Sequence, residues 1–177
     1  GFGVAFGKTG QESIIVMEGT VAKTASSSAT CGTQYSLIDV RDGGRFDVNG
    51  RNYWDYNYTI EGAGPDGAGA LFNSTSVSDP WTASSVGYVR DITLVGDSTF
   101  GGTQSWGMMF YNYSANTLTL NGHTLTYKGA LIYGGLMSYS GEGRIVIDQG
   151  GAVEFYNSTP SAKDAVLEVR GTLQQHD

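Results

Sequence analysis

Apolar and polar side chains alternate along this chain in short runs, and the runs come in pairs. Leu118 and Leu120 fall on one face of an extended segment, with Thr117 and Thr119 on the other. After Asn121-Gly122 the alternation resumes with Leu125 and Tyr127. Ile145 and Ile147 repeat the pattern, followed by Gln149-Gly150-Gly151 and then Val153 and Phe155. An earlier copy runs through Ile38, Val40, Asp42-Gly43-Gly44, Phe46 and Val48. Each unit reads as a short strand, a tight glycine turn and a second short strand. Aligned on their apolar pairs, the units are Ile38/Val40, Tyr58/Ile60, Ile92/Leu94, Leu118/Leu120, Ile145/Ile147 and Leu167/Val169. They recur at intervals of roughly 20 to 34 residues. No segment sustains a helical period, so almost no α-helix is expected.

A unit this short buries its apolar face only by stacking on the next copy. The spacing therefore predicts an all-β chain, a right-handed parallel β-helix (β-solenoid) of about six or seven coils, with residues 1–177 as a single domain. Strands about 4.8 Å apart would make a rod roughly 30 Å long. Right-handed winding follows the crossover preference of parallel strands. The uneven interval fits loops inserted at a corner. Gly62 to Gly69 reads as a flexible turn, and Leu131-Ile132-Tyr133 as the third side of a coil. The rival architecture is an antiparallel β-sandwich, because Asn49-Gly50 and Asn121-Gly122 are also good hairpin turns.

Composition sharpens the class. Glycine accounts for 27 of 177 residues and proline for 3, without a collagen period, which suits many strands and tight turns. The net charge is −7 and 15% of residues are charged. So little positive charge argues against a nucleic-acid partner and against an anionic membrane surface. No apolar run is long enough to span a bilayer, so no membrane insertion of this segment is expected. Cys31 stands alone and reads as a small packing residue. The Ser/Thr/Asn/Gly-rich composition fits an extracellular β protein. Gly1 in place of Met points to a processed or excised piece of a longer protein.

Three strings carry a resemblance: Thr117-Leu-Thr-Leu-Asn-Gly-His-Thr-Leu-Thr126, Tyr58-Thr-Ile-Glu-Gly-Ala-Gly-Pro-Asp-Gly-Ala-Gly-Ala-Leu-Phe-Asn-Ser74 and Gly143-Arg-Ile-Val-Ile-Asp-Gln-Gly-Gly151. They resemble the autotransporter-associated β-strand repeats of large secreted or surface proteins of bacteria, over about Tyr35 to Leu173. The resemblance implies a pectin-lyase-like β-helix displayed outside the cell or on its surface, as in adhesins. It implies no catalytic residue, because the repeat has none.

A polysaccharide lyase would need acidic Ca²⁺ ligands and a base on one face. Asp39, Asp148 and Glu168, with Arg41, Arg144 and Arg170 close by, offer a charged ladder, but solvated outward positions account for them as well. Gly62 to Gly69 faintly matches a calcium-binding repeat, yet it occurs once. His123 falls in a turn and His176 near the end, with no nucleophile string beside either. No catalytic residue, metal or cofactor is assigned, and a structural or adhesive role is favoured over an enzyme. The sharpest candidates are loop aromatics, Tyr53, Trp54, Tyr56, Trp81, Trp106, Tyr111 and Tyr113, whose flat rings would stack on sugars if they line one groove. The expected partners are a polysaccharide or a host or cell-surface glycan, or a second copy of the chain pairing at uncapped coil ends. Asn57, Asn73, Asn112 and Asn157 match the N-glycosylation pattern, which chance supplies readily in so polar a chain.

Overall fold

The computed structural model describes residues 13–22, 37–50, 57–75, 91–107, 117–129, 131–135, 138–156 and 164–176. They form sixteen strands. The first eight are β1 (Ser13–Val16), β2 (Gly19–Ala22), β3 (Leu37–Val40), β4 (Gly44–Asp47), β5 (Asn57–Gly62), β6 (Leu71–Asn73), β7 (Ile92–Gly102) and β8 (Trp106–Gly107). The rest are β9 (Thr117–Thr119), β10 (Thr124–Gly129), β11 (Leu131–Gly135), β12 (Ser138–Ser140), β13 (Gly143–Ile147), β14 (Ala152–Tyr156), β15 (Ala165–Val169) and β16 (Thr172–His176). No helix occurs among the described residues.

Every pairing among these strands is parallel, which rules out the antiparallel sandwich. Three stacks result. The first face holds β1, β3, β5, the start of β7, β9 and β12. The second holds β2, β4, β6, the end of β7, β10, β13 and β15. The third holds β8, β11, β14 and β16. The chain is a β-solenoid, and β11 supplies the third side expected of Leu131 to Tyr133. Passages over all three faces number about four, by the four strands of the third stack, against the six or seven coils that the spacing predicts.

The discrepancy has a physical cause. The recurring apolar pair marks a corner, and a turn has more than one corner. Ile38 stacks on Tyr58, Ile92 and Leu118 on the first face. Ile145 and Ile147 do not continue that column. They lie on the second face, over Leu125 and Tyr127 and under Leu167 and Val169. The unit around Asp42-Gly43-Gly44 thus turns from the first face to the second, and the one around Gln149-Gly150-Gly151 turns from the second to the third. Both corners use the same bonds. The N–H of Arg41 donates to Val16 O at 2.9 Å and that of Asp148 to Tyr127 O at 3.0 Å. Within each corner, Gly44 N–H reaches Arg41 O and Gly151 N–H reaches Asp148 O, both at 2.8 Å.

The core is the set of inward columns. Phe46, Leu71, Phe100, Tyr127 and Ile147 stack in register, and all are at most 2% exposed. Phe100 meets Tyr127 edge to face, with ring centroids 6.0 Å apart. Burying each such side chain contributes about 1.5–3 kcal/mol. Tyr58 belongs to this core, as expected. Between the first and second faces the hydroxyls of Tyr127 and Tyr139 meet at 2.8 Å. Burial pushes both phenols well above their usual pKa. Asn73 is fully buried, accepts from Gly50 N–H at 2.8 Å and donates to Thr75 O at 2.8 Å, so it cannot serve as a glycosylation acceptor.

Candidate functional site

The aromatic candidates Tyr53, Trp54, Tyr56, Trp81, Tyr111 and Tyr113 lie outside the described residues. Trp106 stands on β8, paired with Ile132, and its side chain lies outside them too. The charged candidates do not form one ladder. Asp39 faces outward on the first face but is buried, at 5% exposure. It accepts from Arg41 Nε at 2.9 Å and from Thr59 Oγ1 at 2.6 Å, and Arg41 also reaches Glu61 at 3.6 Å. The Asp39 carboxylate raises the Arg41 pKa further, chiefly through that hydrogen bond. Glu168 lies on the second face, bonded to Arg144 at 3.0 Å and to Arg170 at 2.5 Å, with Asp148 3.8 Å from Arg170. These are two separate, internally paired clusters, and Asp39 is not the solvated residue that its outward position suggests. Among the described residues no three His, Cys, Asp or Glu gather to hold a metal ion.

Another feature of the described residues is not among the candidates read from the sequence. A groove of about 320 Å³ runs along the corner between the first and second faces. Four successive layers of the stack line it: Asp42 after β3, Gly62 and Ala63 at the end of β5, Asp97 and Thr99 within β7, and Thr124 and Thr126 on β10. Three steps of about 4.8 Å separate the first of these layers from the last, about 14 Å in all.

Local structure builds each wall. Thr99 and Thr126 pair in register, so their hydroxyls line up along the rod. Asp97 accepts from Thr124 N–H at 2.8 Å through Oδ1, and its side chain is 77% exposed. His123 Nδ1 lies 3.9 Å from the same oxygen. Gly62, at φ +88°, forms part of the floor; a Cβ there would sit 2.6 Å from Asp42 Oδ1. The loop that begins at Gly62 continues from this wall, and of its residues Gly62 and Ala63 line the groove. It reads as flexible in the sequence, but it is folded and tied at several points. Gly69 N–H donates to Ala63 O at 2.8 Å and Ala68 N–H to Asp66 Oδ1 at 2.9 Å. Arg45, only 8% exposed, donates to Gly69 O at 2.9 Å, bonds the Asp66 carboxylate and lies 4.2 Å over the Phe72 ring. Arg45 first, and the Ala68 N–H second, hold the Asp66 carboxyl below the usual carboxylate range.

Two carboxylates and a row of threonine hydroxyls, open to solvent on an otherwise regular surface, suit hydrogen bonding to a polyhydroxylated ligand. Set against protein-family models, curated proteins and solved structures, the chain matches none of them.

Proposed function

We propose that the chain is a secreted or surface-displayed solenoid with a structural and adhesive role, which holds glycans along its corner groove and performs no chemistry on them. The groove carries this reading, because its length, its hydroxyl row and its carboxylates match an extended sugar chain lying along the rod. The right-handed winding and the likeness to autotransporter-associated repeats belong to the same proposal, as does extracellular placement. A glycan microarray with the intact protein tests it: specific retention of oligosaccharides, weakened by Thr126→Val, is the expected result. Absence of any glycan binding would defeat the reading.

A second reading rests on a different observation. Leu167, Val169 and Leu173, on the last two strands of the stack, are 39%, 45% and 42% exposed, although Leu167 and Val169 continue inward columns. Apolar side chains exposed in this way suit pairing with another copy. Sedimentation across a concentration series tests it, with mass rising for the parent protein and staying constant for Val169→Lys.

A further inference from the structure

Resting on the glycan reading, we infer that the corner groove selects by charge: it takes neutral or amino-sugar chains and rejects uronate polymers. Asp42 and Asp97 contribute carboxylates, and no arginine or lysine is among its lining residues. The basic residues nearest in sequence and register are committed elsewhere. Arg41, beside Asp42, is held by Asp39 and Glu61. Arg45 is turned into the Asp66 loop. Arg144, which pairs in register with Thr124, is bonded to Glu168. Lys128 Nζ donates to Gly67 O at 3.1 Å.

A uronate laid along this path would bring its carboxylates beside Asp42 and Asp97; among the described residues no arginine or lysine lines the path, and His123, with Nδ1 3.9 Å from Asp97 Oδ1, offsets them only when protonated. Like charges in such contact are unfavourable, and a concave site strengthens the effect. A neutral sugar meets no such cost: adjacent hydroxyls can donate to each aspartate while the threonines accept or donate. A protonated amino sugar gains a charge-assisted bond at each carboxylate. The net charge of −7 acts in the same direction at longer range. This ligand preference is opposite to that of an arginine-lined uronate site.

The test is calorimetric titration of the intact protein with three oligomers of equal length: glucosamine, N-acetylglucosamine and galacturonate. The expected order is glucosamine, then N-acetylglucosamine, with galacturonate bound at least tenfold more weakly. Asp97→Asn keeps the Oδ1 acceptor for Thr124 N–H, so the fold is preserved while the charge is removed. Each of Asp97→Asn and Asp42→Asn should cut the preference for glucosamine over N-acetylglucosamine by roughly two- to fivefold, the range of an exposed ion pair. Added salt should cut it likewise. Galacturonate binding as tight as N-acetylglucosamine, or aspartate variants with unchanged preference, would overturn the charge selection while leaving the glycan reading in place. Failure of all three oligomers to bind would overturn both.

Discussion

The two glycines of the β13–β14 corner are adjacent in sequence but constrained for different reasons, and substitution separates them. Gly150 has φ +80° and nothing within 4 Å of an added Cβ. An alanine there meets only the left-handed backbone penalty, about 1–2 kcal/mol. Gly151 has an ordinary φ, but its Cβ would lie 2.5 Å from Tyr127 O and 3.1 Å from Asp148 O. Relief requires the corner to lift off the layer beneath by about 1 Å, which takes the Asp148 N–H to Tyr127 O bond beyond hydrogen-bonding distance. Overpacking of about 1–3 kcal/mol and a lost backbone bond of about 1 kcal/mol give about 2–4 kcal/mol for Gly151→Ala. Gly150→Asn should cost least, since asparagine tolerates this backbone and Asn49 and Asn121 adopt φ 48° and 55° here. Urea unfolding of the three variants, compared at equal slope, reads the order. The same contrast should recur at Gly43 and Gly44, where the second Cβ would lie 2.2 Å from Val16 O. If Gly151→Ala proves as mild as Gly150→Asn, the close stacking of corner on corner is refuted.

Further outcomes follow from the core and the loop. Leu125→Ala should cost about 2–5 kcal/mol, whereas Leu167→Ala, in the same column but 39% exposed, should cost less than half as much in the same urea assay. Tyr127 and Tyr139 have raised pKa values, so their stabilisation is fully present below the unfolded value near pH 10 and is lost as pH rises toward the folded values. Each adds a decline of about 1.4 kcal/mol per pH unit above that point. Melts between about pH 9 and 12 should therefore fall less steeply for Tyr139→Phe than for the parent, and equal slopes would count against the buried pair. Asp66 is shifted downward, so its hold on the loop is present above about pH 3.9 and weakens as pH falls through the lowered folded value. Hydrogen exchange at Gly67 and Gly69 should accelerate over that acid range and, for Asp66→Ala, already at neutral pH.

Much of the architecture is legible in the sequence because parallel stacking writes a two-residue alternation and a glycine corner into every layer. Ile38, Tyr58, Ile92 and Leu118 fall into one column as that alternation predicts. The alignment goes wrong at Ile145 because corners to the second and third faces share one local grammar: an apolar pair, a polar turn, two glycines and a second apolar pair. Local sequence does not say which corner a unit occupies. The groove is hidden for a related reason. Asp42, Asp97 and Thr126 lie far apart in the chain, and only register across four layers brings them together. Their one visible signal is a short polar residue at or just past a turn that follows an apolar pair. The loop beside the groove reads as slack because its glycines are local, whereas Arg45, which ties it down, comes from the preceding layer. Asp39 looks solvated because alternation places it outward, while Arg41 and Thr59 cover it.

The parallel register itself can be tested by cross-linking. Thr126 and Val146 face each other across β10 and β13, close enough in Cα spacing for a disulfide. A hairpin at Asn121-Gly122 would instead set Thr117 opposite Thr126. In a Cys31→Ser background, mild oxidation followed by thiol counting on Thr126→Cys/Val146→Cys and on Thr117→Cys/Thr126→Cys distinguishes the two. The solenoid requires the first pair to close quickly and the second to remain reduced; rapid closure of the second pair with an open first pair would contradict it.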